Sequence, residues 1–418
     1  MLVEFRAKNF RSIRDEQVLS MVASKDKQHA ETHLISTSIK SIPSLVSSTA
    51  IYGPNASGKT NLINALAFFR GFVVDSATAV KPDQQLNVQP FRLDKDYINQ
   101  PTELELTYIL NGVRYQYGFK LNKDKIYGEW LLVYKSPKPQ LWFSRYLNEK
   151  TDQYEYDFGS YLSGNKKQWQ ELTRSNALYL STAAQWNSEQ LKPIFDYIGN
   201  EIAVFSSGVL PSPDTSVQML QNSNIRQELL NFLTSADISI SAIDVRFQKG
   251  VKQTVKFDSP TGAPEIHREE TELAIPQFHH STGDISAILE LQDESLGTQR
   301  LFTLAGPLID ILKKGRILVI DELDSSLHTY IVQRLVSMFQ SKKINKAGAQ
   351  LIFTTHDTAL LKTEFFRRDQ IWFAEKDNSQ ATTIYPLTDF SPRKKEALER
   401  GYLMGRYGAL PILNDTPK

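Results

Sequence analysis

The sequence predicts an α/β fold, a mainly parallel sheet interrupted by an inserted lobe of mixed antiparallel sheet and helices. Three observations carry this. Residues 50–52 read as a strand that runs into a Gly-rich turn at Gly53, with a helix over 60–72. Two unbroken apolar runs, Ile317-Leu318-Val319-Ile320 and Leu351-Ile352-Phe353-Thr354-Thr355, read as parallel strands buried on both faces. Between these ends, from about residue 102, alternating runs joined by tight turns read as antiparallel strands.

The elements follow in order. Residues 2–10 alternate loosely and predict an edge strand, with another at 17–23. A Ser/Thr-rich stretch from Ser36 to Thr49 leads to the strand–turn–helix unit. Glu103 to Tyr108 alternates, Asn111-Gly112 is a hairpin turn, and Arg114 to Leu121 alternates again. Further strands are expected at 130–135 and 140–146, mainly helix over 166–200, a Gly/Pro/Ser loop over 206–216, and helix over 224–235. Residues 238–275 suggest short strands around Ser259-Pro260-Thr261-Gly262. Helices over 298–314, stopped by Gly315, and over 326–341 flank the first apolar strand. Residues 393–404 read as a surface helix with Leu398, Tyr402 and Leu403 inward, for core packing or for docking a partner. The α/β parts at 1–90 and 285–418 are expected to form one discontinuous core, with 91–284 inserted.

Bulk composition sets limits. A chain of 418 residues is too long for one simple core. With 48 Lys and Arg against 47 Asp and Glu, the net charge of +1 gives no global signal for nucleic acid, although a local basic patch is compatible with it. The absence of cysteine excludes disulfides and Cys-based zinc sites. No stretch of about 18 apolar residues predicts a membrane helix, and the first residues lack the apolar core of a signal peptide. A cytoplasmic protein without membrane contact is the expectation. No sustained heptads predict a long coiled coil.

The chemistry concentrates in a few motifs. Gly53-Pro54-Asn55-Ala56-Ser57-Gly58-Lys59-Thr60 matches G-x-x-x-x-G-K-[ST] in full. Glycines let the loop wrap so that the N–H groups of Asn55, Ala56, Ser57 and Gly58 can face phosphate oxygens. The next helix adds its N-terminal dipole. Lys59 can neutralise the β and γ phosphates, and Thr60 can hold Mg²⁺. The alternative, a chance Gly-rich turn, does not supply the strand before and the helix after. The run ending at Ile320 delivers Asp321 and Glu322. Asp321 is suited to Mg²⁺, and Glu322 to polarising an attacking water as general base. ATP and Mg²⁺ are thus the expected ligands. No N-K-x-D motif points to GTP.

Taken with Lys8-Asn9-Phe10-Arg11-Ser12-Ile13, Glu294-Ser295-Leu296-Gly297-Thr298-Gln299-Arg300, Thr354-Thr355-His356-Asp357 and Gly405-Arg406-Tyr407-Gly408-Ala409-Leu410-Pro411, these motifs resemble ABC-type ATPases of the SMC/Rad50/RecF branch. Within that branch the chain looks like the compact bacterial ATPases grouped as AAA-15/AAA-21, which include the abortive-infection AbiLi/RloA-type proteins. The resemblance implies the α/β fold of a P-loop ABC-type ATPase head. It implies a nucleotide loop extending to Asn61 and an arginine, Arg11, near the nucleotide. Ser295 and Gly297 take the signature position, facing the γ-phosphate of an opposite subunit. His356 takes the position of the switch histidine. Gln89 is a Q-loop candidate for nucleotide and Mg²⁺; a solvated loop glutamine fits as well. Asp324 falls where the D-loop crosses the dimer interface, and His328 is either an interface residue or a helix cap.

The signature reads Glu-Ser-Leu-Gly-Thr-Gln, which departs from the transporter form L-S-G-G-Q and weakens a transporter reading. The function implied is a homodimeric ATP switch, the ATPase or sensor of an anti-phage defence system controlling a separate effector such as a nuclease. The alternative is a RecF/Rad50-like DNA-binding ATPase in repair, which needs a basic surface and salt-sensitive binding. About 60 residues follow His356, too few for an additional nuclease domain of ordinary size.

Overall fold

A computed structural model describes residues 1–206, 212–236, 238–256, 265–393 and 396–411, with residues 252–256 and 265–271 described as backbone only. The chain's contacts divide it into two units, one of residues 1–209 with 311–418, the other of 210–310.

The first unit holds two large sheets. Strands β1 (Leu2–Lys8) and β2 (Gln17–Ser20) open the chain, followed by a small antiparallel pair, β3 (Leu34–Ser36) with β4 (Ser44–Val46). Next comes β5 (Ser48–Tyr52). A meander then runs through β6 (Thr102–Leu110), β7 (Val113–Leu121), β8 (Ile126–Tyr134), β9 (Gln140–Asn148) and β10 (Gln153–Phe158). It continues one antiparallel sheet in the order β10-β9-β8-β7-β6-β1-β2. β1 is therefore interior: it pairs with β6 on one side and β2 on the other, and the edge is β2. Its alternation of Val3, Phe5 and Ala7 inward satisfies one buried face, which interior and edge strands share, so pattern alone does not distinguish them.

The second sheet carries the chemistry. β11 (Ile202–Phe205), β15 (Ile317–Ile320), β16 (Gln350–Thr354), β17 (Ile371–Lys376) and β18 (Thr382–Pro386) join β5 in the order β11-β15-β16-β5-β17-β18. The first five are parallel neighbours, and β18 closes the edge antiparallel to β17. Every residue of β5, β15 and β16 is buried, as expected for parallel strands covered on both faces. The α/β prediction holds here.

The helix Lys59–Asp75 buries Leu62, Ile63, Leu66, Phe69 and Val73, spaced three and four apart. Phe69 stacks on Phe119 of β7 at 5.1 Å and meets Phe5 of β1 edge-on at 6.0 Å, so this helix packs on the antiparallel sheet. Glu129 of β8 is fully buried, 3.0 Å from Arg145 of β9. Its carboxylate also accepts from the N–H groups of Tyr179 and Leu180, at the start of the helix Tyr179–Gln185. A charge that is paired and capped in this way ties the meander to the helices behind it.

In the second unit, β12 (Ala242–Lys256) and β13 (Glu265–Thr282) form a hairpin arm with 15 residues in the first strand and 18 in the second. β14 (Ile285–Glu290) pairs with β13. The short strands expected here are thus long ones; the turn at 259–262 lies outside the described residues. Pro276 lies within β13, although proline argues against a strand interior. It lies one residue beyond the stretch where β14 pairs with β13. The helix Leu296–Lys314 contains Pro307. Ser216 sits in its notch, accepting from Gly306 N at 3.0 Å and donating to Phe302 O at 2.6 Å. That hydroxyl bridges Gly306 N and Phe302 O, the pair that bonds directly in a regular helix.

One buried histidine yields a stability prediction. His33 Nδ1 lies 2.9 Å from Gln370 Oε1, and burial lowers its pKa to about 4, against a smaller upward pull from that hydrogen bond. The folded state keeps the ring neutral where the unfolded chain would protonate it. Stability is full above pH 6.5 and falls as pH drops towards 4, by at most about 3 kcal/mol. Urea unfolding of wild type and His33→Gln at pH 7 and 4.5 checks this; equal losses in both would refute it.

Candidate functional site

Ligand-facing chemistry in open parallel sheets gathers at the carboxyl ends of the strands. Here the carboxyl end of β5 leads into the loop 53–58, that of β15 into Asp321 and Glu322, and that of β16 into Thr355 and His356. β15, β16 and β5 are adjacent, so three motifs far apart in sequence emerge side by side.

The loop 53–58 has the wrapped backbone the motif needs. Ala56 has φ +62° and Gly58 φ +103°. A Cβ on Gly58 would overlap the Thr382 side chain, so only glycine fits. Thr382, on β18, donates to Ser57 O at 2.9 Å and shares a 2.7 Å hydroxyl contact with Ser12, which accepts from Asn61 at 2.7 Å. Thr382 N also donates to Ser12 O at 2.7 Å. The loop is therefore braced from behind by residues 12 and 382. Neither was singled out from sequence, since nothing local marks a hydroxyl as a brace.

Lys59 is buried, its Nζ donating to Gly53 O at 2.7 Å and Pro54 O at 3.0 Å. Burial lowers its pKa, and Asp321, Glu322 and Asp324 oppose that shift. The same three carboxylates act on His356, whose pKa is held below the ordinary histidine range by burial and then by Lys59. These five side chains share one electrostatic environment.

Thr354, the last residue of β16, fixes the acids. Its hydroxyl donates to Asp321 Oδ1 at 2.5 Å and accepts from Glu322 N at 2.7 Å. Glu322 sits at φ +52°, unusual for a residue with a side chain. Asp324 Oδ2 accepts from His356 N at 3.2 Å, tying the loop after β15 to the loop after β16. Sequence reading gave Thr354 no role; a hydroxyl ending the strand beside the acid-bearing one is the signal that could have found it. His328 caps a helix: its Nδ1 accepts from Tyr330 N at 3.2 Å, at the start of the helix Thr329–Gln340.

The donor set fits a hard divalent cation. Asp321 is 3% exposed, and its Oδ2 is buried with no hydrogen-bond partner among the described residues, while Thr60 opens the helix beside Lys59. A buried carboxylate oxygen with nothing to accept from is costly unless a cation or donor reaches it.

Arg11 and Gln89 are brought together, since Arg11 N donates to Gln89 O at 2.8 Å. With Ser12, Asn61, Phe91 and Leu93 they line a recess of about 400 Å³. A second cleft of about 660 Å³ lies over residues 53–57 and His356. Lys376 and Gln380 border both. Ser295 and Gly297 belong to the other unit. There Ser295 Oγ accepts from Thr298 N at 3.1 Å and shares a 2.9 Å contact with Thr298 Oγ1, so it caps the helix Leu296–Lys314. Glu294, just before it, pairs with His280 at 2.6 Å. Ser295 and Leu296 are exposed, which leaves the start of this helix open to solvent.

The tail differs from expectation. The helix covers only Leu398–Leu403; Leu398 and Tyr402 are buried, but Leu403 is 56% exposed. Residues 394 and 395 lie outside the described residues. Among the described residues no helix is long and apolar enough to cross a membrane.

Residues 48–362 match the family described as "AAA domain, putative AbiEii toxin, Type IV TA system". No curated protein matches the chain. Among solved structures, the SMC head domain from Thermotoga maritima is similar at 15% identity and a TM-score of 0.42, covering 92% of this chain and 98% of that one. The Smc head domain with an extended coiled coil bound to the C-terminal domain of ScpA, from Pyrococcus furiosus, is similar at 13% identity and a TM-score of 0.38, covering 97% and 98%.

Proposed function

The chain belongs to the AAA_21 family of ATPase domains, and from that premise we propose that it is a Mg²⁺-dependent ATPase working as a two-subunit switch. The observation that carries this is the Asp321–Thr354–Glu322 network set beside Lys59, with one oxygen of Asp321 buried and unpartnered among the described residues.

The roles follow from chemistry. The N–H groups of residues 55–59 and the Lys59 ammonium receive the β and γ phosphates. Thr60 and Asp321 would hold Mg²⁺, with Gln89 as a further ligand; bound there, the ion would neutralise charge on the triphosphate and on the departing ADP. Glu322 orients a water and takes its proton as that water attacks the γ-phosphorus, while the bond from that phosphorus to the bridging oxygen breaks and ADP leaves. His356, kept neutral, meets the γ-phosphate as a hydrogen-bond donor. Arg11 and Asn61 contact the nucleotide from the neighbouring recess.

Ser295 and Gly297, at an exposed helix start, cap the γ-phosphate of a second copy, so ATP forms part of the dimer interface. Hydrolysis removes that ligand and loosens the pair. The output is control of a separate effector such as a nuclease, in anti-phage defence within the cytoplasm.

The test measures MgATP binding and phosphate release by the purified chain. Micromolar binding that is lost with EDTA, and release of phosphate, are expected. A chain that binds no MgATP at millimolar concentration overturns the proposal. Co-expression with the product of an adjacent gene tests the effector, with a stable ATP-sensitive complex as the expected result.

A further inference from the structure

The segment 398–411 has no assigned task, yet it forms the far wall of the cleft over the phosphate loop. Tyr402, Leu403, Leu410 and Pro411 face residues 53–57 and His356 across about 660 Å³. Its own helix has six residues, too short to hold itself without tertiary contacts.

Those contacts fall on three elements that carry the site. The first is β17. Glu375 Oε2 accepts from Ala409 N at 2.9 Å, and a Cβ on Gly408 would fall 2.7 Å from the same oxygen. Tyr385, on β18, donates to Tyr407 O at 3.0 Å. The residue before Glu375 is Ala374, whose carbonyl presses on Gly53 so closely that a Cβ there would collide with it. Neighbouring residues of one strand thus touch the tail and the start of the phosphate loop.

The second is β5. Tyr402 meets Tyr52 edge-on at 6.0 Å, and Tyr52 directly precedes Gly53. Tyr402 also stacks on Phe373 at 5.4 Å and donates to Ala409 O at 2.8 Å, closing the segment on itself. The third is the loop after β16, where Thr358, two residues past His356, donates to Glu399 Oε1 at 3.3 Å.

We propose that residues 398–411 are a positioning element for the nucleotide site: seated on Glu375 and Tyr52, they hold the phosphate loop and the His356 loop in binding geometry. Linkage makes this reciprocal, so nucleotide in the cleft tightens the seat of the segment. This second half rests on the ATP reading above; the first half does not.

Hydrogen exchange on the full chain separates the two. Without nucleotide, Glu375→Ala speeds exchange at residues 53–58 and 356–358 by about tenfold, the loss of roughly one hydrogen bond, while β6 to β10 keep their protection. Glu375→Gln retains an acceptor for Ala409 N–H and stays close to wild type. Tyr402→Phe, which keeps the ring and loses one bond, gives a smaller change of the same pattern and serves if the alanine variant does not fold. Faster exchange confined to 398–411, with 53–58 unchanged, overturns the positioning role. Adding MgATP to wild type slows exchange at 405–411. If a fluorescent ATP analogue binds and those amides do not slow, the linkage is wrong. If no analogue binds, the ATP reading fails, and the nucleotide-free arm still decides the positioning role.

Discussion

Lys59→Ala lowers the affinity for MgATP by at least about 100-fold, or roughly 3 kcal/mol, with the fold intact. The expectation comes from what surrounds the ammonium. Lys59 is 6% exposed, and its charge is balanced by Asp321, Glu322 and Asp324. Removing it costs the charge-assisted bonds it would make to phosphate, each worth about 1.5–3 kcal/mol. It also leaves three carboxylates facing a triphosphate with no fixed cation between them. Stability should suffer little, because the two bonds lost, which Lys59 Nζ donates to Gly53 O and Pro54 O, come from a group whose burial is itself unfavourable. Titration of a fluorescent ATP analogue, with thermal melts as control, reads both effects. Affinity within threefold of wild type would mean that the loop is not the phosphate site.

The nucleotide loop was legible because its chemistry is contiguous. Glycine at 53 and 58, lysine at 59 and the strand before them are local features, and local features survive in a linear reading. β15 and β16 were legible for a related reason: strands buried on both faces must be apolar at every position, and little else in a polar chain looks like that. What sequence could not supply was pairing at a distance. β1 lies against β6, about 100 residues on, and β11 lies beside β15, more than 110 residues on. Alternation says that a strand has one buried face; it does not say which strand covers its edges. The same limit hid Thr354, Thr382 and the tail. Each acts through a partner hundreds of residues away or on a neighbouring strand, and a lone threonine or tyrosine carries no local mark of that. The six-residue helix Leu398–Leu403 shows the error in the other direction, since periodicity placed Leu403 inward where the segment turns it to solvent.

Glu322→Gln should slow phosphate release by about 10²–10⁴-fold while leaving MgATP affinity equal or tighter. The substitution isolates the proton-accepting role because the surroundings constrain everything else. The backbone of Glu322 is fixed by its N–H bond to Thr354 Oγ1 and by the left-handed φ of +52°, and glutamine meets the same backbone demand as glutamate. Thr354 still donates to Asp321 Oδ1, so the residue suited to Mg²⁺ keeps its orientation. One negative charge disappears from a site that must receive a triphosphate, which favours binding. With binding intact and turnover blocked, ATP persists between two copies, and the variant should elute at twice its monomer mass in ATP and as monomer without it. Two measurements divide the claim. Phosphate release within threefold of wild type would move the general base elsewhere, with His356, held neutral beside the same carboxylates, the next group to examine. Blocked turnover with a monomer under all nucleotide conditions would keep the base and reject the clamp, leaving Ser295 with the helix-capping role that its own unit already gives it.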